Sequence, residues 1–228
     1  MSDKPSVRVL IQDGPVGELS LLDPASVPRP RTAKGRATLV QLKNAGREVF
    51  RRDGYVGARV SEISEAAGLS NGAFYRYFED KEHLMMVVLD DFLRQYRDYI
   101  RVPFDPDRPL ASVQASYSRY LEFYRDHVDL MLLLLQAGQV VPEVEKLRLA
   151  SAREVYSRMA RLLDRCADLG ILNPAVRPEI LAPLLGGMVE QYGYLAYVLE
   201  AFEVSDPEEV AAEIAAMWSR GVLNGIDG

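Results

Sequence analysis

The sequence predicts an all-α protein of about nine helices, a three-helix head near the N-terminus followed by a longer helical body. Three observations carry this. From about residue 34 onward, apolar residues recur at steps of three and four, and no stretch alternates long enough to make a convincing strand. Breaks at Asp53-Gly54, Pro103 to Pro109, Gly138 to Pro142, Gly170 to Pro174 and Asp206-Pro207 divide that pattern into helix-sized lengths. Residues 60–81 read as two short helices joined so tightly at Gly68-Leu69-Ser70 that they form a rigid wedge.

Residues 1–33 form the expected flexible arm. Pro, Gly, Asp and Ser are scattered through it, and its one apolar run, Val7 to Ile11, has no evident partner strand. In the first helix Leu39, Leu42, Gly46, Val49 and Phe50 share a face, and Asp53-Gly54 ends it with a glycine suited to a left-handed position. In the wedge Val60, Ile63, Ala67, Phe74 and Phe78 point inward by spacing, while Ala66, Ala67 and Gly68 keep the helices close. Asp80 can cap a long fourth helix carrying Leu84, Val88, Phe92 and Tyr99. Two helices fill 110–137 with a break near His127-Val-Asp129. The next carries Val144, Leu147, Ser151, Val155, Met159, Leu162, Cys166 and Leu169 on one stripe and ends at Gly170. A further helix runs from about Pro178 to Phe202. The last opens at Asp206-Pro207-Glu208-Glu209, with Asp as cap, Pro at the first helical position and Glu where a capping box places it.

Composition narrows the function classes. The chain has 228 residues, 48% of them apolar, and a net charge of −6. That charge is uneven. Residues 29–81 carry 11 Lys/Arg against 6 Asp/Glu, whereas residues 82–228 carry 14 against 23. A basic head on an acidic body suits a protein with one nucleic-acid face. The single Cys166 excludes an intrachain disulfide and sits on an apolar helix stripe, so a small core residue is expected rather than a redox sensor. No signal peptide is visible and the longest apolar run, Leu130 to Leu135, is far too short to span a bilayer, so a soluble cytoplasmic protein is expected. Only His83 and His127 accompany the lone cysteine, and no Gly-rich phosphate loop appears. No enzyme, metal or cofactor is therefore expected. Asp90-Asp91 and Glu208-Glu209 read as solvated faces or caps.

Ile63-Ser64, Ala67-Gly68-Leu69-Ser70, Gly72, Tyr75, Phe78, Lys81 and Leu84 together resemble the helix-turn-helix run of the TetR family of transcriptional regulators, over roughly residues 37–89. Met217-Trp218-Ser219-Arg220-Gly221 is similar to a common ending of that family. Arg59 stands where the family often has a capping Ser or Thr, and Ser64 where it usually has Ala. The resemblance implies a helix-turn-helix DNA-binding domain over 34–80 and a ligand-binding and dimerisation domain over 81–228. It also implies a repressor that grips a palindromic double-stranded DNA operator as a homodimer, through helices about 178–202 and 206–222, and is released by a small hydrophobic effector.

The candidate contacts to DNA follow from that motif. Ser70 can cap the recognition helix, and Asn71, Gly72 and Ala73 form its first turn, the part that reaches base edges. Asn71 has the chemistry to pair with adenine or to contact phosphate. Tyr75 and Lys81 look like the family's phosphate anchors. Arg76 and Tyr77 flank the same surface, and Arg59 can replace the absent hydroxyl with a charge. The basic stretch from Arg29 to Arg36 reads equally well as a backbone or minor-groove arm and as a solubilising linker.

The body holds large side chains at helical spacing. Phe92, Tyr96, Tyr117, Tyr120, Phe123, Tyr124, Met131, Met159, Met188, Gln191 and Tyr192 are the candidates for lining the cavity that the resemblance implies. Arg119 and Gln136 are further polar candidates. Gly186-Gly187 and Gly193 are expected to let helices approach closely at a dimer interface, as are the alanines at 211, 212, 215 and 216. Two other classes compete: an architectural DNA-binding protein without an effector, and an enzyme built on the helical body.

Overall fold

The computed structural model describes residues 26–224, so most of the expected arm, including Val7 to Ile11, lies outside the described residues. Among the described residues there are nine α-helices and no strand: α1 Ala33–Gly57, α2 Val60–Ala66, α3 Asn71–Phe74, α4 Lys81–Tyr99, α5 Pro109–Asp126, α6 Val128–Gly138, α7 Pro142–Asp168, α8 Pro178–Gly193 and α9 Pro207–Met217. They form two compact units. One contains residues up to Gln95 together with Asp129–Ser151, the other Tyr96–Val128 together with residues from Ala152 onward.

In the first unit, the threonine before α1 sets its start, with Thr32 Oγ1 accepting from the Gly35 N–H at 3.0 Å. Gly54 breaks α1 as its sequence implies, at φ 69°, and one further helical turn carries it to Gly57. Leu42, Val49 and Phe50 of α1 are buried with Ile63 of α2, Phe74 of α3, Phe78 just after α3, and Leu84 of α4. Glycine is required at position 46, where an added Cβ would lie 2.6 Å from Leu84 Cδ2, a fully buried side chain with nowhere to move. Ion pairs tie the other faces of α1. Lys43 Nζ reaches Asp91 at 2.5 Å, and the Arg47 guanidinium forks onto Asp129 at 2.5 and 2.8 Å, a bidentate pair. Burial alone would raise the Asp129 carboxyl, but the Arg47 hydrogen bonds and charge outweigh it and hold the group below the usual carboxylate range. Asp90 departs from the solvated face expected of it. It is buried, and its carboxylate pairs with Arg94 one turn on.

Ser64 is also buried, and its hydroxyl has no hydrogen-bond partner. An unsatisfied buried hydroxyl is destabilising, and alanine removes it without leaving a void of any size. Ser64→Ala is therefore expected to stabilise the protein by about 1 kcal/mol, read as a higher urea midpoint at unchanged slope.

The second unit is built around Trp218, with Tyr117 and Leu121 of α5, Leu163 and Cys166 of α7, Ala182, Leu185 and Val189 of α8, and Ala211 and Ile214 of α9. Burial pushes the Cys166 thiol up, as befits a core residue. Gly170, at φ 72°, closes α7 with the paired bonds Gly170 N–H to Ala167 O and Ile171 N–H to Cys166 O, the arrangement that glycine permits just past a helix end. Asp206 caps α9 through a bond from the Glu208 N–H at 2.9 Å. α8 is shorter than the expected run to Phe202. After Gly193 the chain widens into a π-helical turn, Tyr194–Val198, and Glu200 takes a left-handed φ of 47° while the Ala201 N–H reaches back to Leu195 O. α9 widens in the same way over Trp218–Val222.

Candidate nucleic-acid interface and effector cluster

The wedge is rigid for local reasons. At the end of α2 the Leu69 N–H bonds Ser64 O and the Gly68 N–H bonds Glu65 O, with Gly68 at φ 64°, so the turn demands glycine. α2 starts at Arg59, whose side chain has no acceptor to offer. Half a capping box remains, in which the Glu62 carboxylate accepts from the Arg59 backbone N–H at 3.1 Å. The guanidinium of Arg59 is left exposed. Ser70 caps α3 by accepting from the Ala73 N–H at 3.3 Å. Beneath α3, Phe74 and Phe78 pack with ring centroids 5.5 Å apart.

The expected contact residues separate into three groups. Ser70, Asn71, Gly72, Tyr75 and Arg76 are exposed together on and beside α3, and Tyr75 is 58% exposed. A Cβ at Gly72 would meet nothing nearer than Ser70 Oγ at 3.9 Å, so nothing within the chain requires glycine there. Tyr77 is half-buried, with its hydroxyl 3.5 Å from where a Cβ on Gly35 would stand, which places it against the start of α1. Arg36 is exposed and donates to Arg31 O at 3.1 Å.

Two of the expected contact residues stand apart from the exposed row. Ala73 is only 5% exposed; its Cβ is part of the floor of the wedge, because a four-residue helix capped by Ser70 turns that position inward. Lys81 does not present a free ammonium. Its Nζ donates to Tyr55 O at 2.9 Å, Val56 O at 3.1 Å and Ala58 O at 2.8 Å, and lies 4.9 Å from the centre of the Tyr55 ring. An ammonium has three donors, and all three are occupied by carbonyls at the end of α1.

In the second unit the aromatic candidates Tyr96, Tyr120, Phe123 and Tyr124 come together. Tyr96 lies 6.2 Å from Tyr120 and 5.5 Å from Phe123, and Tyr120 lies 6.1 Å from Tyr124, ring centre to ring centre. Tyr156 and Glu190 join them, the phenol donating to Glu190 Oε2 at 3.5 Å. Burial raises the phenols of Tyr96, Tyr120 and Tyr124, and the Glu190 charge raises each of them further. Burial raises Tyr197, which packs 6.0 Å from Tyr124, to about 12.

The other candidates fall elsewhere. Tyr117, Met159 and Tyr192 pack in or against the Trp218 core. Phe92 and Met131 belong to the first unit. Met188 and Gln191 are exposed on α8, away from the stripe that meets Tyr124 and Tyr156. Arg119 donates to Tyr99 O and Arg101 O, holding the chain after α4, and Gln136 is exposed in the first unit. The polar member that the sequence reading missed is Glu190. Its signal was available: Gly186, Glu190 and Gly193 lie four and three residues apart, on one side of a helix.

The glycines of α8 also correct an expectation. A Cβ at Gly186 would stand 2.5 Å from the Tyr156 ring and one at Gly193 would stand 2.9 Å from the Tyr124 ring, so both serve packing within the chain. Gly187 has open space. The outer face of α8 carries Ile180, Leu184 and Met188 instead, at 42%, 62% and 37% exposure and at intervals of four. Among the described residues, no group of His, Cys, Asp and Glu is placed to hold a metal ion, and no helix is long and apolar enough to cross a membrane.

Known proteins share this fold. Residues 42–87 match the family model described as bacterial regulatory proteins, tetR family. The chain is 25% identical over 116 residues to the transposon Tn10 TetC protein of Escherichia coli, covering 50% of this chain and 59% of TetC. It is 24% identical to the HTH-type transcriptional regulator YdgC of Bacillus subtilis over 84% of this chain and 95% of that one. Solved structures of SmeT, the repressor of the Stenotrophomonas maltophilia multidrug efflux pump SmeDEF, have the same fold. SmeT alone superposes with a TM-score of 0.65 at 19% identity, covering 84% of this chain and 93% of SmeT. Its complex with triclosan gives 0.64 at 21% identity over 83% and 93%. The helix-turn-helix of residues 60–81 and the all-helical fold are similar to those of the TetR family of transcriptional regulators, and the matches support a regulator of that family.

Proposed function

We propose that the protein is a ligand-responsive repressor. It binds a palindromic operator as a homodimer, through residues 34–80 of each subunit, and residues 81–228 supply dimerisation and effector sensing. The observation that carries the DNA-binding surface is the exposed row Ser70, Asn71, Gly72, Tyr75 and Arg76 held over a buried aromatic floor. A short helix fixed in this way can place its first turn in a major groove, with Asn71 at a base edge and Tyr75 and Arg76 on phosphates. Gly72, which no internal contact demands, suits close approach of a DNA backbone. Arg59 and Arg36 add charge beside that row, and Tyr77 positions the row against α1.

The apolar stripe of α8 supports pairing with a second copy. One short recognition helix offers too little contact alone, and a two-fold dimer doubles it across an inverted repeat. Sensing falls to the tyrosine cluster of the second unit. The triclosan complex of SmeT is a precedent for a small ligand in a protein of this fold. α4 runs unbroken from Lys81 to Tyr99, so an effector that prefers one position of Tyr96 biases the whole helix. A protein of this kind acts on DNA in the cytoplasm.

Selection of bound duplexes from a random library tests the reading. An enriched inverted repeat is expected, whereas equal retention of all sequences would indicate an architectural protein. On the selected repeat, Asn71→Ala is expected to lower affinity about tenfold and to relax one position of the site, with a smaller loss on random duplex. Equal losses on both would remove Asn71 from base reading.

A further inference from the structure

Resting on the sensing role just proposed, we propose that the cluster around Glu190 is a site for an organic cation. One positive group would sit against the Glu190 carboxylate, with an apolar body among the phenol rings.

The geometry is built by α8. Gly186, Glu190 and Gly193 share one side of the helix, and each glycine is a shelf for a ring: Tyr156 would be 2.5 Å from a Cβ at 186, and Tyr124 would be 2.9 Å from a Cβ at 193. Glu190 stands between those shelves. Tyr120 and Tyr96 extend the aromatic wall beyond Tyr124, in steps of 6.1 and 6.2 Å. Glycine at both positions lets the two rings pack against the helix one turn to either side of Glu190.

The carboxylate is under-satisfied. It can accept about four hydrogen bonds, and the Tyr156 hydroxyl donates to it at a long 3.5 Å. Among the described residues no Lys, Arg or His lies within ion-pair distance of it. The nearest charges do not cancel it: the Tyr96 phenol feels Glu190 and Glu154 against one cation, Arg158. Burial first, and the Glu190 charge after it, raise the phenols of Tyr96, Tyr120 and Tyr124, so all three rings lie within reach of that charge. A half-buried carboxylate held by one long hydrogen bond and no cation favours a ligand that brings a positive partner in. Ring faces attract cations as well. An anionic amphipath meets the like charge of Glu190 and is disfavoured.

Titration calorimetry of the full chain with tetraphenylphosphonium and with the neutral triphenylphosphine oxide tests this. The cation is expected to bind at least about tenfold more tightly. Glu190→Gln should remove that preference while leaving the neutral probe's affinity and the melting temperature unchanged, and Glu190→Asp, which keeps the charge, should retain much of it. Equal binding of the two probes by the wild-type protein, or a preference that survives Glu190→Gln, overturns the cation site and leaves the sensing role standing on neutral ligands. If neither probe binds and no panel of uncharged amphipaths releases the operator, the sensing role fails and the cation site with it.

Discussion

Leu184→Glu is expected to abolish operator binding while leaving each subunit folded. Leu184 is the most exposed member of the α8 stripe, at 62%, with Ile180 and Met188 one turn to either side. Its side chain supports nothing in the core of its own unit, so a carboxylate there costs the isolated subunit little. At a two-fold interface the same change is made twice, and like charges meet where apolar contact is needed. A lone head retains only half of the contacts to an inverted repeat. Affinity for the repeat should fall by at least about 100-fold, with sedimentation showing monomers and the near-ultraviolet signal of buried Trp218 unchanged. A variant that stays dimeric would move the interface off this face of α8.

The second large effect concerns Lys81. Its ammonium holds three carbonyls at the end of α1 and sits over the Tyr55 ring. Lys81→Met keeps the stem and removes the charge and all three donors. Solvent can recover part of the loss, because the group is only half-buried. A destabilisation of about 2 kcal/mol is expected, on the scale of hydrogen bonds to a charged group. The dependence of DNA affinity on salt should hardly change, because the ammonium faces carbonyls instead of phosphate. Urea unfolding and a salt series on one duplex separate the alternatives. Unchanged stability with a salt slope lowered by about one would mean that Lys81 leaves α1 for a phosphate when DNA is present.

Lys81 also shows where sequence reading stops. Helix ends governed by local chemistry were legible: Gly54 at a left-handed position, Gly170 closing α7, Ser70 as a cap, and Asp206-Pro207 opening α9. The inward set of the head, from Leu42 to Leu84, followed from the helical period. Other positions depend on contacts distant in sequence. Lys81 points to carbonyls more than twenty residues earlier, and no spacing rule reports that. Ala73 turned inward because α3 is a single turn, too short for periodicity to fix its faces. α8 stopped early although its apolar pattern continues, because the π-helical turn after Gly193 and the left-handed Glu200 redirect the chain. In the body, size and aromaticity picked out Tyr96, Tyr120, Phe123 and Tyr124 but passed over Glu190. A single carboxylate on a helix ordinarily reads as solvated, and only the two glycines beside it mark the difference.

The most direct measurement is the composition of the complex on a selected inverted repeat, by sedimentation equilibrium across a series of salt concentrations. Two chains per duplex are expected, with affinity falling steeply as salt rises. One chain per duplex, or an affinity indifferent to both salt and sequence, would contradict the account.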